Sequence, residues 1–211
     1  IGCGFLTASM NTKPDLVNDI RPPATSIIYD IHGNEIANVH ADQNRKPVKL
    51  AQVPKNLQNA FVAVEDNRFY EHGGIDPRGI LRALYANIRG RTVSEGGSTI
   101  TQQLAKNAYL TQDRTLKRKI QEVFLALQLE RQYTKDEILE MYLNQIYFGQ
   151  GAYGVQAAAQ TYFGKNVEDL DLNECAMLAG IPKSPNYYSP LNNLQAAQER
   201  KATVLDQMEK Y

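Results

Sequence analysis

The stretch from Glu65 to Glu122 constrains the fold of this chain more than any other part of its sequence. It begins with an apolar run, residues 60–66, whose apolar positions recur at helical spacing and place Glu65 near the end of a largely buried helix. A glycine turn at residues 96–99 opens a second helix, and a basic run at residues 114–119 leads into a third. This order predicts a helical body with short polar segments between its helices.

Glu65 is a candidate general base. A carboxylate can take a proton from an attacking hydroxyl only if it is ionised, partly desolvated and within hydrogen-bond reach. Burial at the end of an apolar helix raises a carboxylate pKa toward working pH. The alternative is a solvated acid at a helix end, which is the commoner role for a single Glu or for its neighbour Asp66.

The turn at residues 96–99 has the composition of an anion site. Its two glycines permit positive φ and close ligand approach, and Ser98 and Thr99 offer hydroxyls to cap the helix that follows. Three polar side chains lie one turn inside that helix: Gln102, Gln103 and Lys106. Phosphate oxygens are natural ligands of such a helix start, although an ordinary capped helix after a flexible loop has the same pattern.

Four cations lie within six residues just before Glu122: Arg114, Lys117, Arg118 and Lys119. The whole chain is balanced, with 23 Lys and Arg against 23 Asp and Glu, so this positive charge is local. A neutral chain without a second basic stripe argues against nucleic-acid binding. Glu122 is spaced to pair with Arg118 or Lys119, so it is either a site carboxylate or an acid that only neutralises a basic helix surface.

The helix that contains Glu122 has an apolar stripe at i, i+3, i+4 and i+7 spacing. The stripe consists of Ile120, Val123, Phe124 and Leu127. The spacing predicts that these residues form the core face of the helix. Farther on, Thr134 and Glu137 have the spacing of a capping box, which predicts that the helix they open is scaffold, although Tyr142 and Asn144 on it can reach the site.

These segments resemble the glycosyltransferase domain of class A penicillin-binding proteins and of monofunctional peptidoglycan glycosyltransferases. Five motifs in the family's order carry the resemblance: EDNRFYEHGGID (65–76), GGSTITQQLAKN (96–107), RKIQE (118–122), KDEILEMYLNQIYFGQGAYG (135–154) and AMLAGIPKSPNYYSP (176–190). The resemblance implies a mainly α, lysozyme-like, two-lobed domain. It also implies an enzyme at the extracytoplasmic face of the bacterial membrane. That enzyme polymerises lipid II into β-1,4-linked glycan with inversion at the anomeric carbon and releases undecaprenyl diphosphate.

The resemblance also implies roles for individual residues. Glu65 is the general base, supported by Asp66 and Arg68, and Glu122 is a second catalytic carboxylate near the donor diphosphate. The diphosphate-binding positions are Ser98, Thr99, Gln102, Gln103, Lys106, Arg114, Arg118 and Lys119. The implied partners are lipid II, the growing lipid-linked glycan chain, the membrane surface and moenomycin-type inhibitors. Mg²⁺ or another divalent cation can bridge the diphosphate to a carboxylate without leaving a sequence signature.

Three regions follow from the sequence. Residues 1–25 form a tail, which is either the outer end of a truncated membrane anchor or a flexible segment. Residues 26–45 form a β-hairpin preface with strands at 26–30 and 35–40, and residues 46–211 form the catalytic domain. Within that domain, the segments 85–93 and 109–116 mix apolar side chains with arginines and are predicted to meet lipid.

Two other functions remain open at this stage. A peptidoglycan hydrolase of the same fold would use Glu65 as a general acid, but such an enzyme needs room for water and no clamp for a diphosphate. A non-catalytic module would only bind cell-wall intermediates. The cysteines, Cys3 and Cys175, suggest no disulfide framework, and His72 is predicted to make a structural hydrogen bond.

Overall fold

The computed structural model describes residues 26–29, 35–39, 44–88, 97–109 and 115–211. Most of these residues are helical, which confirms a mainly α fold. The α-helices are α1 (Lys55–Glu65), α2 (Pro77–Ile88), α3 (Ile100–Tyr109), α4 (Leu116–Gln132), α5 (Lys135–Gln145), α6 (Val155–Phe163), α7 (Leu172–Gly180) and α8 (Leu194–Lys210). No helix in these described ranges is long and apolar enough to cross a membrane.

Four short strands accompany the helices within the described ranges. Strand β1 (Ser26–Tyr29) pairs antiparallel with β2 (Glu35–Val39), so the two segments predicted as the preface lie side by side. Strand β3 (Asn44–Arg45) pairs parallel with β4 (Ala152–Tyr153), which ties the start of the chain's main body to the loop before α6. The predicted turn at residues 31–34 and the tail at residues 1–25 lie outside the described residues.

Helix α1 runs through the core and ends at the candidate base. Its inward positions are apolar and fully buried at Leu57, Ala60 and Phe61. The Phe61 ring meets the rings of Tyr142 and Phe148 edge-on, with centroids 5.9 and 6.1 Å away. Because α1 also packs against α7 and α8, the carboxylate at its C-terminal end has a fixed position.

Helix α5 is anchored at both ends. At its start, Thr134 N donates to Glu137 Oε2 at 2.7 Å and Glu137 N donates to Thr134 Oγ1 at 3.3 Å, which confirms the predicted capping box. Near its end, Asn144 accepts from Val48 N at 2.9 Å and donates to Val48 O at 2.8 Å. The predicted scaffold role of this helix is therefore confirmed for Asn144, which holds the connector before α1.

Helix α4 turns a different side toward the core from the one predicted. Ile120 is 60 % exposed, and the rest of the predicted stripe, Val123, Phe124 and Leu127, is only partly buried. The buried positions are Glu122, Leu125, Ala126 and Leu129. At 3.6 residues per turn these two sets lie on nearly opposite sides of the helix, so α4 carries apolar residues on both sides. The predicted core face was wrong because spacing alone does not choose between two such sides.

Candidate active site

An open cleft lies where the end of α1, the first turns of α2 and the loop before α3 meet. The carboxylates of Glu65, Asp66 and Asp76 line it, together with Ser98 and Thr99. The first two motifs of the sequence therefore share one cleft. The structure describes few of the side chains in the predicted lipid-facing segments, residues 85–93 and 109–116.

Glu65 is partly buried at the edge of this cleft. Its Oε2 accepts a hydrogen bond from Gln103 Nε2 at 2.9 Å. Burial raises the pKa of Glu65 above its ordinary value, while the Gln103 bond and the charges of Arg200 and Lys183 oppose that rise. A raised pKa makes the ionised carboxylate a stronger proton acceptor, which is the property required of a general base.

Asp66 connects the first motif to the second. Its Oδ1 and Oδ2 lie 2.9 and 3.0 Å from His72 Nε2, and Oδ2 also accepts from Ile100 N at 3.0 Å. His72 Nδ1 accepts from Gly74 N at 3.2 Å, so the ring carries its hydrogen on Nε2. This Nε2–H group donates a hydrogen bond to Asp66. The predicted structural hydrogen bond of His72 is confirmed, and it holds Asp66 against the start of α3.

Arg68 supports the cleft through another carboxylate. Its guanidinium forms an ion pair with Asp76, which immediately precedes α2. Burial raises the pKa of Asp76, but the Gly79 N–H bond and the Arg68 charge outweigh that effect and hold the pKa below its ordinary value. Asp76 therefore remains an anion at the cleft wall, and Arg68 neutralises it.

Glu122 is 3 % exposed and is paired with both of the cations that its spacing in the sequence predicts as partners. Lys119 Nζ forms a close ion pair with Glu122 Oε1, and Arg118 Nη1 lies 3.5 Å from Glu122 Oε2. Lys119 Nζ also donates to Ser98 Oγ at 2.9 Å. Because Ser98 lines the cleft with Glu65, Lys119 connects the buried Glu122 to the same wall.

The two glutamines of the second motif have different environments. Gln103 contacts Glu65, whereas Gln102 is 1 % exposed and closes the cap of α3. Thr99 N donates to Gln102 Oε1 at 3.0 Å, and Gln102 N donates to Thr99 Oγ1 at 3.1 Å. The predicted N-cap is confirmed for Thr99, but the cap uses Gln102, whose amide is not brought to the cleft.

The remaining predicted diphosphate ligands are two cations. Lys106 is exposed, and Arg114 lies outside the described residues.

Two cations near Glu65 were missed by the sequence analysis. Arg200 on α8 is 5 % exposed, its guanidinium carbon lies 6.0 Å from the centre of the Tyr188 ring, and its Nε has no hydrogen-bond partner among the described residues. Lys183 follows α7, and both charges act on Glu65. A usable signal existed: Arg200 is four residues from Ala196 and from Val204, two buried positions of the same helix face.

No group of three or more His, Cys, Asp or Glu side chains that can hold a metal ion occurs among the residues described. Cys175, predicted to be a small core residue, is fully buried, and burial raises the pKa of its thiol to about 12. The thiol is therefore a packing group.

Comparison with known proteins agrees with the motif order. A family model described as Transglycosylase matches residues 32–209. Penicillin-binding protein 1F of Bacillus subtilis (strain 168) is 52 % identical over 185 residues, which are 88 % of this chain and 26 % of that protein. Penicillin-binding protein 1A of Escherichia coli (strain K12) is 50 % identical over 197 residues, 92 % of this chain and 23 % of that protein.

A crystal structure of penicillin-binding protein 1A from Haemophilus influenzae aligns with 90 % of this chain and 19 % of that chain, at 31 % identity and a TM-score of 0.48. This chain thus spans about a quarter of the length of the curated relatives described above.

Proposed function

This chain belongs to the transglycosylase family, and on that premise we propose that it is a peptidoglycan glycosyltransferase that polymerises lipid II. The observation that carries the proposal is the shared cleft wall: Glu65 and Ser98 line one cleft, and Lys119 links Ser98 to the buried Glu122. A base in the cleft and a cationic cluster linked to the cleft through Ser98 suit a reaction in which an alcohol displaces a diphosphate.

The proposed step begins at Glu65. Its carboxylate takes the proton from the 4-hydroxyl of the acceptor sugar, and that oxygen forms a bond to the anomeric carbon of the donor. The bond from the anomeric carbon to the diphosphate breaks, and the electron pair leaves with the undecaprenyl diphosphate. Attack from the face opposite the leaving group inverts the anomeric centre, so an α-linked lipid diphosphate becomes a β-1,4 glycosidic bond.

The diphosphate side of the proposal rests on Ser98, Lys119 and Arg118. Negative charge grows on the departing oxygens, so cations and hydroxyl donors held there stabilise the transition state more than the ground state. Arg118 Nε is buried without a hydrogen-bond partner among the described residues, and Lys119 is 45 % exposed at its side chain. Glu122 keeps both cations in place before substrate arrives, and that positioning is its proposed role.

A divalent cation remains part of the proposal. Mg²⁺ keeps most of its water and is commonly held by one or two carboxylates together with substrate phosphates, so it needs no preformed cluster. Glu122 already has two cationic partners, and for that reason the ion would be bound chiefly by the diphosphate. Loss of turnover in the presence of a chelator, restored by added Mg²⁺, would support a role for the ion. Unchanged turnover in the chelator would exclude that role.

The lipid chains of both substrates imply that the reaction takes place at a membrane surface, and the family resemblance assigns that surface to the extracytoplasmic face of the bacterial membrane. The donor is the growing glycan chain on its undecaprenyl diphosphate, and the acceptor is lipid II. Moenomycin-type phosphoglycolipids carry a comparable anionic group on a lipid, and we propose that they compete for the positions around Glu65, Gln103 and Lys119.

The test is a glycan-strand assay with labelled lipid II on the parent chain and on Glu65→Gln. Parent protein is expected to form polymer, and the variant is expected to lose about 10²- to 10⁴-fold in rate while it still binds lipid II, because only the proton acceptor is gone. Glu71→Gln is the matched control, since Glu71 is an exposed acid of the same motif. It is expected to retain parental activity.

Two results would replace the proposal. Release of sugars from finished peptidoglycan without lipid II would identify a hydrolase. A parent chain that never forms polymer, together with loss of lipid II binding in Glu65→Gln, would identify a non-catalytic binding module.

A further inference from the structure

Gln103 lies between the candidate base and a buried phenol. Its Nε2 donates to Glu65 Oε2 at 2.9 Å, and its Oε1 accepts from Tyr142 Oη at 3.4 Å. The second distance is long for an O–H···O bond, so this hydrogen bond is the weaker of the two. The side-chain amide of Gln103 therefore has one end toward a carboxylate and the other toward a hydroxyl.

The phenol has little choice of partner. Tyr142 is 1 % exposed, and a buried hydroxyl of this kind is nearly always hydrogen-bonded. Burial raises the pKa of Tyr142 well above its ordinary value, and the charges of Glu65 and Asp66 raise it further. The hydroxyl thus keeps its proton throughout the working pH range and serves as a donor to Gln103.

Helix α5 holds the phenol in place. The capping box fixes one end of this helix, Asn144 fastens the other to Val48, and the Tyr142 ring packs edge-on against Phe61 on α1. The Tyr142 ring is thus packed directly against the helix that carries Glu65. Tyr142, one of the two residues of this helix that the sequence analysis left able to reach the site, thus contacts Gln103.

We propose that Tyr142 is a positioning residue that locks the Gln103 side-chain amide with its N–H group toward Glu65. An amide that rotates by half a turn would present its oxygen to the Glu65 carboxylate. The partial negative charge of that oxygen repels the ionised form of Glu65. The Tyr142 oxygen can accept from a rotated amide, but its buried O–H would then lose the acceptor that it has at Gln103 Oε1, so the hydroxyl disfavours that orientation. The inference rests on the proposed function, in which Glu65 must be ionised to accept a proton.

The test is the pH dependence of lipid II polymerisation by Tyr142→Phe. Removal of the hydroxyl lets the amide rotate, the ionised form of Glu65 becomes less favourable, and the acid limb of kcat/KM moves to higher pH by about 0.5 to 1 unit. The other charges that act on Glu65 come from Asp66, Lys183 and Arg200, and all three remain in the variant.

Tyr162→Phe is the matched control. Tyr162 is a partly buried tyrosine whose hydroxyl donates to Phe148 O at 2.7 Å and does not contact Gln103. The control is expected to lose some thermal stability and to keep the parental acid limb. An equal shift in both tyrosine variants would overturn the proposal, because it would reflect general loosening of the fold.

A second comparison uses Gln103→Ala. In Gln103→Ala there is no side-chain amide for Tyr142 to orient. The shift of the acid limb that Tyr142→Phe causes in the parent is therefore expected to vanish in the Gln103→Ala background. An undiminished effect there would assign Tyr142 to some other role.

Carboxylate chemical shifts of ¹³C-labelled Glu65 through a pH titration give a readout that does not depend on turnover. A Glu65 midpoint in Tyr142→Phe that equals the parental one would overturn the inference, even in a parent chain that polymerises lipid II normally. Absence of polymer from the parent would instead refute the proposed function.

Discussion

Asp76 occupies its position at the cleft wall because residue 79 has no side chain. A Cβ built on Gly79 would lie well inside contact distance of Asp76 Oδ2, and the Gly79 N–H is one of the groups that stabilise this carboxylate. An alanine here must push the carboxylate away from both Arg68 and the start of α2. The absence of one methyl group therefore determines how a charged residue faces the site.

Gly79→Ala is expected to lower the free energy of unfolding by about 1 kcal/mol. Loss of a helix N-cap costs about 0.5 to 2 kcal/mol, and the higher helix propensity of Ala returns part of it. Chemical denaturation followed by circular dichroism measures the difference.

Gly73→Ala is the control, because a Cβ on Gly73 meets nothing within 4 Å. It is expected to change the free energy of unfolding by less than about 0.5 kcal/mol. A Gly79→Ala variant as stable as Gly73→Ala would show that the Asp76 carboxylate can move without cost.

At the scale of a single element, α4 illustrates a helix with two apolar sides. One side carries Leu125 and Leu129 into the core, and the other leaves Ile120 mostly exposed. Glu122 lies on the buried side, where its charge is compensated by Arg118 and Lys119. This arrangement inverts the usual pattern of an amphipathic helix, because the acid Glu122 lies on the core side and the apolar Ile120 lies on the outer side.

Two alanine substitutions distinguish these sides. Leu129→Ala removes a fully buried side chain and is expected to cost about 2 to 5 kcal/mol in the free energy of unfolding. Ile120→Ala removes a side chain of equal size from the exposed side and is expected to cost less than about 0.5 kcal/mol. Equal costs in chemical denaturation would mean that the outer side of α4 is also covered in solution.

At the scale of the whole molecule, the last helix supplies a charge to a residue near the start of the domain. Helix α8 packs on α7 and α1, and this packing brings Arg200 close enough to act on Glu65. Arg200 fits there because Gly180 on α7 has no side chain: a Cβ on it would lie 2.9 Å from Arg200 Cγ. The base thus depends electrostatically on a helix that carries none of the shared motifs.

Arg200→Met is expected to move the acid limb of the polymerisation rate to higher pH by about 0.5 unit. The Arg200 charge lowers the pKa of Glu65, so without it the pKa rises further and the base ionises only at higher pH. The variant is expected to be at least as stable as the parent, because a buried cation for which the described residues provide no ion pair is costly and Met fills similar volume.

Lys201→Met serves as the comparison, since it removes the same charge one residue farther along α8. Its acid limb is expected to match that of the parent. If both variants shift alike, net charge and not the position of Arg200 controls the base.

The sequence alone was sufficient for features that depend on near neighbours in the chain. The order of the helices, the caps at Thr99 and Thr134 and the position of Glu65 at the end of a buried helix all follow from patterns within four residues. The shared motifs pointed to the same family that the family model later matched.

Tertiary packing decided the rest, because it depends on partners that are distant in the chain. It chose which apolar side of α4 enters the core, turned Gln102 inward and Gln103 toward Glu65, and brought Tyr142 and Arg200 to the base. The hydrophobic effect has no direction, so a helix with two apolar sides can bury either one until a neighbour covers it. For the same reason, the environment that tunes Glu65 exists only once α3, α5 and α8 are packed around the end of α1.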